Sequence, residues 1–182
     1  RGWNVYHTEI GNTKYIQLNS TNTPVTNSDW WNDTSPNSTT FTLGNDYDVN
    51  ANVSGGNYVA YCFSEVEGYS KFGSYTGNGS SNGTFVYTGF RPAFVITKNS
   101  SGAYDWMQFD VKRSPFNDIN DYLFPNSNSS EGTGSTTINV DFLSNGFKWR
   151  GSSSGNNYIN KSGDTFIYLA FAESPFKNSR AR

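Results

Sequence analysis

The stretch DTFIYLAFAE, Asp164–Glu173, decides how this chain is read, because GNYVAYCFSE, Gly56–Glu65, says nearly the same thing more than a hundred residues earlier. Phe166–Phe171 is apolar at every position instead of alternating. A strand of that kind is covered on both faces. Val59–Phe63, VAYCF, is its twin. Each phrase is expected to be the central strand of one half of the protein. One face should lie in a sandwich core and the other under a loop or a neighbouring module.

Working outward from the two phrases extends the repeat. WNVY, Trp3–Tyr6, echoes WMQF, Trp106–Phe109. FTLGNDYDVNANVSGG, from Phe41, matches VDFLSNGFKWRGSSSGNNYINKSG, from Val140, in role: a strand, a turn, then a polar loop. Gly73–Gly102 has no counterpart, since the chain starts at Arg1. The sequence thus reads as one and a half copies of a unit of about a hundred residues, the pattern of stacked β modules or of one sandwich made from similar halves. Residues 1–68 form a first half without its opening strands, and residues 69–182 a complete module. Unpaired edges are sticky. Their partners are expected from upstream residues of a longer protein or from another subunit.

Composition supports an all-β core. Of 182 residues only 34% are apolar, yet 17% are aromatic. The core must therefore lean on rings, which bury large areas. Asn, Ser, Thr and Gly fill the remainder and favour strands and turns over helices. A net charge of −2 with scattered Lys and Arg offers no basic patch for nucleic acid. No apolar run spans a bilayer. Arg1 in place of Met points to a fragment or a processed chain. Cys62, the single cysteine, is expected to be a buried, inert thiol.

Further short runs rich in β-branched and aromatic residues read as strands: 3–8, 14–19, 39–44, 84–89, 92–98, 105–111, 137–143 and 146–150. Asn145-Gly146 predicts a type I′ hairpin turn. Ser114 and Pro115 could open one helix, with Phe116, Ile119 and Leu123 sharing a face. The fold class that follows is an antiparallel β-sandwich, concanavalin-like or jelly-roll, built from two related halves with at most one short helix.

The stretch from Tyr58 to Gly102, then VDFLSNGFKWRGSS, then TFIYLAFAESPFKNSRAR, resembles a repeat module of marine bacteriophage structural proteins. The resemblance runs from GWNVYHTEIGNTKYIQLNSTN to the final SRAR, and GNGSSNGTFVYTGFRPAFVITK is its most specific phrase. It implies concanavalin-like sandwiches in a tail, fibre or virion-surface protein. The implied location is the virion, and the implied partners are other virion proteins or further copies of the chain; a host glycan is an expectation of the surface reading and not of the resemblance. It carries over no catalytic residues.

Candidate sites are few. Glu65 and Glu67 would share one face of a strand, with Cα atoms roughly 6.5–7 Å apart. Paired carboxylates of this kind could serve a glycoside hydrolase, which makes a polysaccharide depolymerase the alternative function. A strand end leaving the core beside Lys71 is the competing account. His7, the sole histidine, has no nucleophile elbow to serve. Asp46, Asp48 and Asn50 alternate as in a calcium loop, but Ala51 and Asn57 stand where an EF-hand needs Gly and Glu. Calcium is therefore the one cofactor considered. Trp30, Trp31 and Asp33 form the glycan candidate, one ring stacking on a sugar while polar groups bond its hydroxyls. The competing account is packing of both rings. Trp149 is expected over the core edge. Asn-x-Ser/Thr triplets at Asn32 and Asn37 arise by chance in such a composition. Lys177, Arg180 and Arg182 could dock on an acidic partner.

Overall fold

Strands whose inward residues are aromatic or branched pack face to face here, as the composition requires. The computed structural model describes residues 2–50, 56–151 and 156–174. Its strands are β1 (Asn4–Val5), β2 (Lys14–Gln17), β3 (Val25–Thr26), β4 (Ser70–Thr76), β5 (Phe85–Tyr87), β6 (Pro92–Asn99), β7 (Trp106–Asp110), β8 (Val140–Leu143), β9 (Gly146–Trp149) and β10 (Thr165–Ala172). They form three antiparallel sheets, ordered β4-β10-β6-β7, β5-β9-β8 and β1-β2-β3. The first two sheets are the layers of the sandwich.

The main core lies between those two layers. Tyr75, Val95, Met107, Phe109, Phe166 and Tyr168 enter it from one sheet, and Val86, Val140, Phe142, Phe147 and Trp149 from the other. Each ring removes about 150–250 Å² from water, worth on the order of a few kcal/mol. Tyr75 stacks on Phe166 at 5.0 Å, and its hydroxyl donates to the Ile159 carbonyl at 2.6 Å. Trp149 is fully buried at the centre of this core, not over its edge.

β10 is the central strand its composition promised. Phe166, Tyr168 and Ala170 face the sandwich core, while Ile167 packs with Ile16 and Trp106 on the opposite face. The chain's opening residues supply that second cover. Trp106 Nε1 donates to the Gln17 carbonyl at 3.0 Å, and Ser74 Oγ donates to Glu9 Oε2 at 2.7 Å.

Its twin behaves differently. Residues 56–65 form no strand, and Val59, Tyr61 and Phe63 are 70%, 71% and 62% exposed. The expectation of two shut-in strands therefore holds for β10 and fails for Val59–Phe63. The reason is neighbourhood. β10 pairs with β4 on one side and β6 on the other. Val59–Phe63 pairs with no strand among the described residues. Cys62, on this segment, is exposed as a result.

Other local expectations are also corrected. Residues 39–44 form no strand. Helix appears as three single turns among the described residues, α1 (Ser28–Trp31), α2 (Tyr47–Asn50) and α3 (Asn156–Ile159), beside a 3-10 turn at Thr8–Ile10. None lies at 114–123. There the backbone bends at Ser114 and over 116–118 and makes isolated bridges at Ile119, Tyr122 and Leu123, and polar side chains hold it. Asn117 Oδ1 accepts from the Phe142 amide and its Nδ2 donates to the Phe142 carbonyl, imitating a strand partner. Phe116 points into water while Ile119 is buried. The β8–β9 hairpin forms, with Leu143 opposite Gly146, but neither Ser144 nor Asn145 has the positive φ of a type I′ turn. Gly146 serves close approach instead. A Cβ there would stand 2.1 Å from the Val86 carbonyl oxygen.

Two ladders of the chain run alike. Val5 pairs with Ile16 and Tyr15 with Val25; Gln108 pairs with Leu123 and Tyr122 with Gly132. Trp3 N donates to Asn19 Oδ1 at 2.7 Å, and Trp106 N donates to Asn126 Oδ1 at 2.8 Å. α2 precedes the first apolar phrase as α3 precedes the second.

Candidate functional site

The Trp pair is built from a capped helical turn. Asn27 Oδ1 accepts from the Asp29 amide to start α1, and Asn32, in the left-handed region at φ 50°, ends it. On a helix, unlike an extended strand, adjacent residues can both turn toward one support. Trp30 stacks on Tyr15 at 3.8 Å. Trp31 meets Tyr6 edge-on at 6.0 Å, and its Nε1 donates to the Lys14 carbonyl at 2.9 Å. Only 4% of Trp30 and 7% of Trp31 is exposed. Neither ring offers a face to a sugar, so the glycan site read at these residues is corrected. Both rings fix the 27–50 loop to β2, together with Val49. Asp33 is exposed beside them, and its carbonyl accepts from Asn12 Nδ2.

Glu65 and Glu67 are not on a strand. Glu65 precedes the turn that leads into β4, and Glu67 lies within it. Glu65 Oε2 pairs with Lys71 Nζ at 2.9 Å, and Oε1 accepts from the Phe72 amide at 3.1 Å. Partial burial works to raise its pKa, but Lys71 and the Phe72 amide outweigh it and hold the carboxyl below the usual range. A general acid needs the opposite shift. The residue acts as a clasp for the start of β4.

Asp46 and Asn50 spend their side chains on the chain itself. Asp46 Oδ1 accepts from the Asp48 amide, and Asn50 Nδ2 donates to the Gly44 carbonyl. These are turn contacts, the cheaper account of the alternating pattern. Among the described residues no three His, Cys, Asp or Glu side chains gather as for a metal ion. The sequence ligand set Asp46, Asp48 and Asn50 is thus part of the α2 turn. Lys177, Arg180 and Arg182 lie outside the described residues.

His7 is structural. Its Nδ1 accepts from the Glu9 amide at 3.2 Å, which places the proton on Nε2, 3.2 Å from the Tyr168 carbonyl. Burial lowers its pKa from the ordinary 6.5, against the Tyr168 contact and Glu9, which raise it. This ring latches the opening segment onto β10. Beside it, Glu9, Lys14, Thr23, Ser100, Ser101 and Thr165 line an open cleft of about 410 Å³.

The exposed rings lie elsewhere. β5 alternates, with Val86 in the core and Phe85 and Tyr87 outward, 43% and 65% exposed. Phe85 stands opposite Lys148, and Lys148 opposite Asp141. Asp141 Oδ2 accepts from Arg150 Nε at 2.6 Å. Gly146 leaves room for the Phe85 ring, since a Cβ would stand 3.0 Å from it. The outer face of the β5-β9-β8 sheet therefore carries two rings beside a basic side chain and an ion pair. The strand TFVYTG was legible in sequence. Its outward aromatics are encoded in the Phe-Val-Tyr-Thr alternation, a weaker signal than the paired tryptophans.

A family described as a domain of unknown function, DUF7483, matches residues 1–175. No curated protein and no solved structure matches.

Proposed function

We propose, for a chain that belongs to the DUF7483 family, a non-enzymatic role as a structural and adhesive module of a bacteriophage particle, in its tail, a fibre or its surface. The phage setting rests on the sequence resemblance alone. The adhesive part rests on one observation, the outward face of β5. There Phe85 and Tyr87 are exposed on a rigid sheet beside Lys148. Rings in such a setting stack on the apolar face of a sugar while neighbouring polar groups bond its hydroxyls. The clasped state of Glu65 favours this reading over a depolymerase.

The test is a glycan array with the intact chain, followed by Tyr87→Ala and Phe85→Ala. Binding lost in both variants, with unchanged melting, supports adhesion. Binding that persists in both removes the β5 face. Release of sugar that stops in Glu65→Gln would favour the depolymerase instead.

A further inference from the structure

The repeat and the exposed phrase together identify a strand-accepting site. Aligned with β10, Tyr58, Ala60 and Cys62 correspond to Phe166, Tyr168 and Ala170, and Val59, Tyr61 and Phe63 to Ile167, Leu169 and Phe171. In the complete module β6 runs between β10 and β7, pairing with both. β1 is the counterpart of β7, by its ladder to β2 and its Asn-capped tryptophan. Both counterparts of β6's partners are thus present, and no strand lies between them among the described residues. β1 is an edge of its sheet. Trp3 and Tyr61, one beside each, have ring centroids 6.0 Å apart. Two strands flanking a third stand about 9.5 Å apart, so an entering strand would part these rings.

We propose that Val59–Phe63 and the open edge of β1 accept a further copy of the β4–β6 segment, the β6-type strand entering between them. The occupant is the 69–103 portion of another module. Within this chain that portion already holds β10, so the donor must have it unengaged. The entering segment would supply the backbone partners that β10 receives from β4 and β6. This is strand addition, in which main-chain bonds give affinity and alternate side chains give register. It does not depend on the phage reading.

Cys62 reports on it, because it is the sole cysteine and is exposed. A copy of residues 69–103, which contains no cysteine, is joined ahead of Arg1, and the reaction of Cys62 with Ellman's reagent is timed in folded protein. The rate should fall at least roughly tenfold, as for a group reached only through local opening. A control extension with Asp at the added copies of Val95 and Ile96 should leave Cys62 reactive. A second arm adds the peptide FRPAFVITKNS, residues 90–100, to the unextended chain and should slow the same reaction. Unchanged reactivity in both arms overturns the proposal, and so does equal protection by the Asp control.

Discussion

At the residue scale, burial decides the behaviour of two titrating groups, His7 and Lys98. The folded His7 has a lowered pKa, so the unfolded chain takes up its proton first as pH falls. Stability from this latch is complete above about pH 6.5 and is lost on acidification below it. Thermal melting from pH 8 to 5 should show that loss, and His7→Gln should weaken it. Lys98 is the second case. Fully buried, its Nζ donates to the Asn99 and Gly102 carbonyls at 2.7 and 3.2 Å, two bonds that a neutral amine can still make. Burial pushes its pKa down to about 8, against the opposing pull of Asp105. The unfolded lysine holds its proton to about 10.5, so the contribution of Lys98 to stability rises with pH between those values. Lys98→Met should flatten that rise and raise the melting temperature at pH 7. Nothing in the sequence marked Lys98 as buried, because a lysine between strand residues is ordinarily at the rim.

At the element scale, side-chain-to-backbone bonds explain what the sequence hid. Asn160 is the clearest case. Its Nδ2 donates to Asn78 Oδ1 and the Ser80 carbonyl, and its Oδ1 accepts from the Asn78 amide and Thr84 Oγ1. One buried amide thereby orders a Gly-Asn-Ser loop that composition would leave loose. Asn160→Ala should cost about 1–3 kcal/mol and open residues 77–84 to protease. β10, β6 and β9 were legible because their apolar runs are continuous or clean. β4 was missed, since SKFGSYT has a glycine at its middle and only two apolar residues, Phe72 and Tyr75, at no strand period. The 114–123 segment was misread because its apolar spacing fits a helix while its Asn and Asp side chains bond the backbone elsewhere. Gly146→Ala should destabilise the β5–β9 pairing by about 1–3 kcal/mol, read by thermal melting, because the added methyl meets the Val86 carbonyl and the Phe85 ring.

At the scale of the whole molecule, one apolar phrase has two fates. β10 is shut between two layers, and Val59–Phe63 lies largely exposed, with Tyr61 against Trp3 and Phe63 against Phe72 and Phe171. The likeness of the two phrases was legible from sequence, and the ladders at β1–β2–β3 and at Gln108–Leu123 and Tyr122–Gly132 run alike. Exposure of the first phrase was not legible, because a strand's burial depends on neighbours that its own residues do not encode. The same holds for the candidate site. Trp30 and Trp31 looked like a sugar platform until α1 turned both rings onto β2. Trp30→Ala should cost about 3–5 kcal/mol and release the 27–50 loop, as loss of a buried ring does. Hydrogen exchange on the intact chain at neutral pH compares the two phrases directly. Amides of residues 165–172 should be among the slowest in the protein, while those of 59–63 should exchange within the first seconds. Equal protection of the two segments would contradict the account.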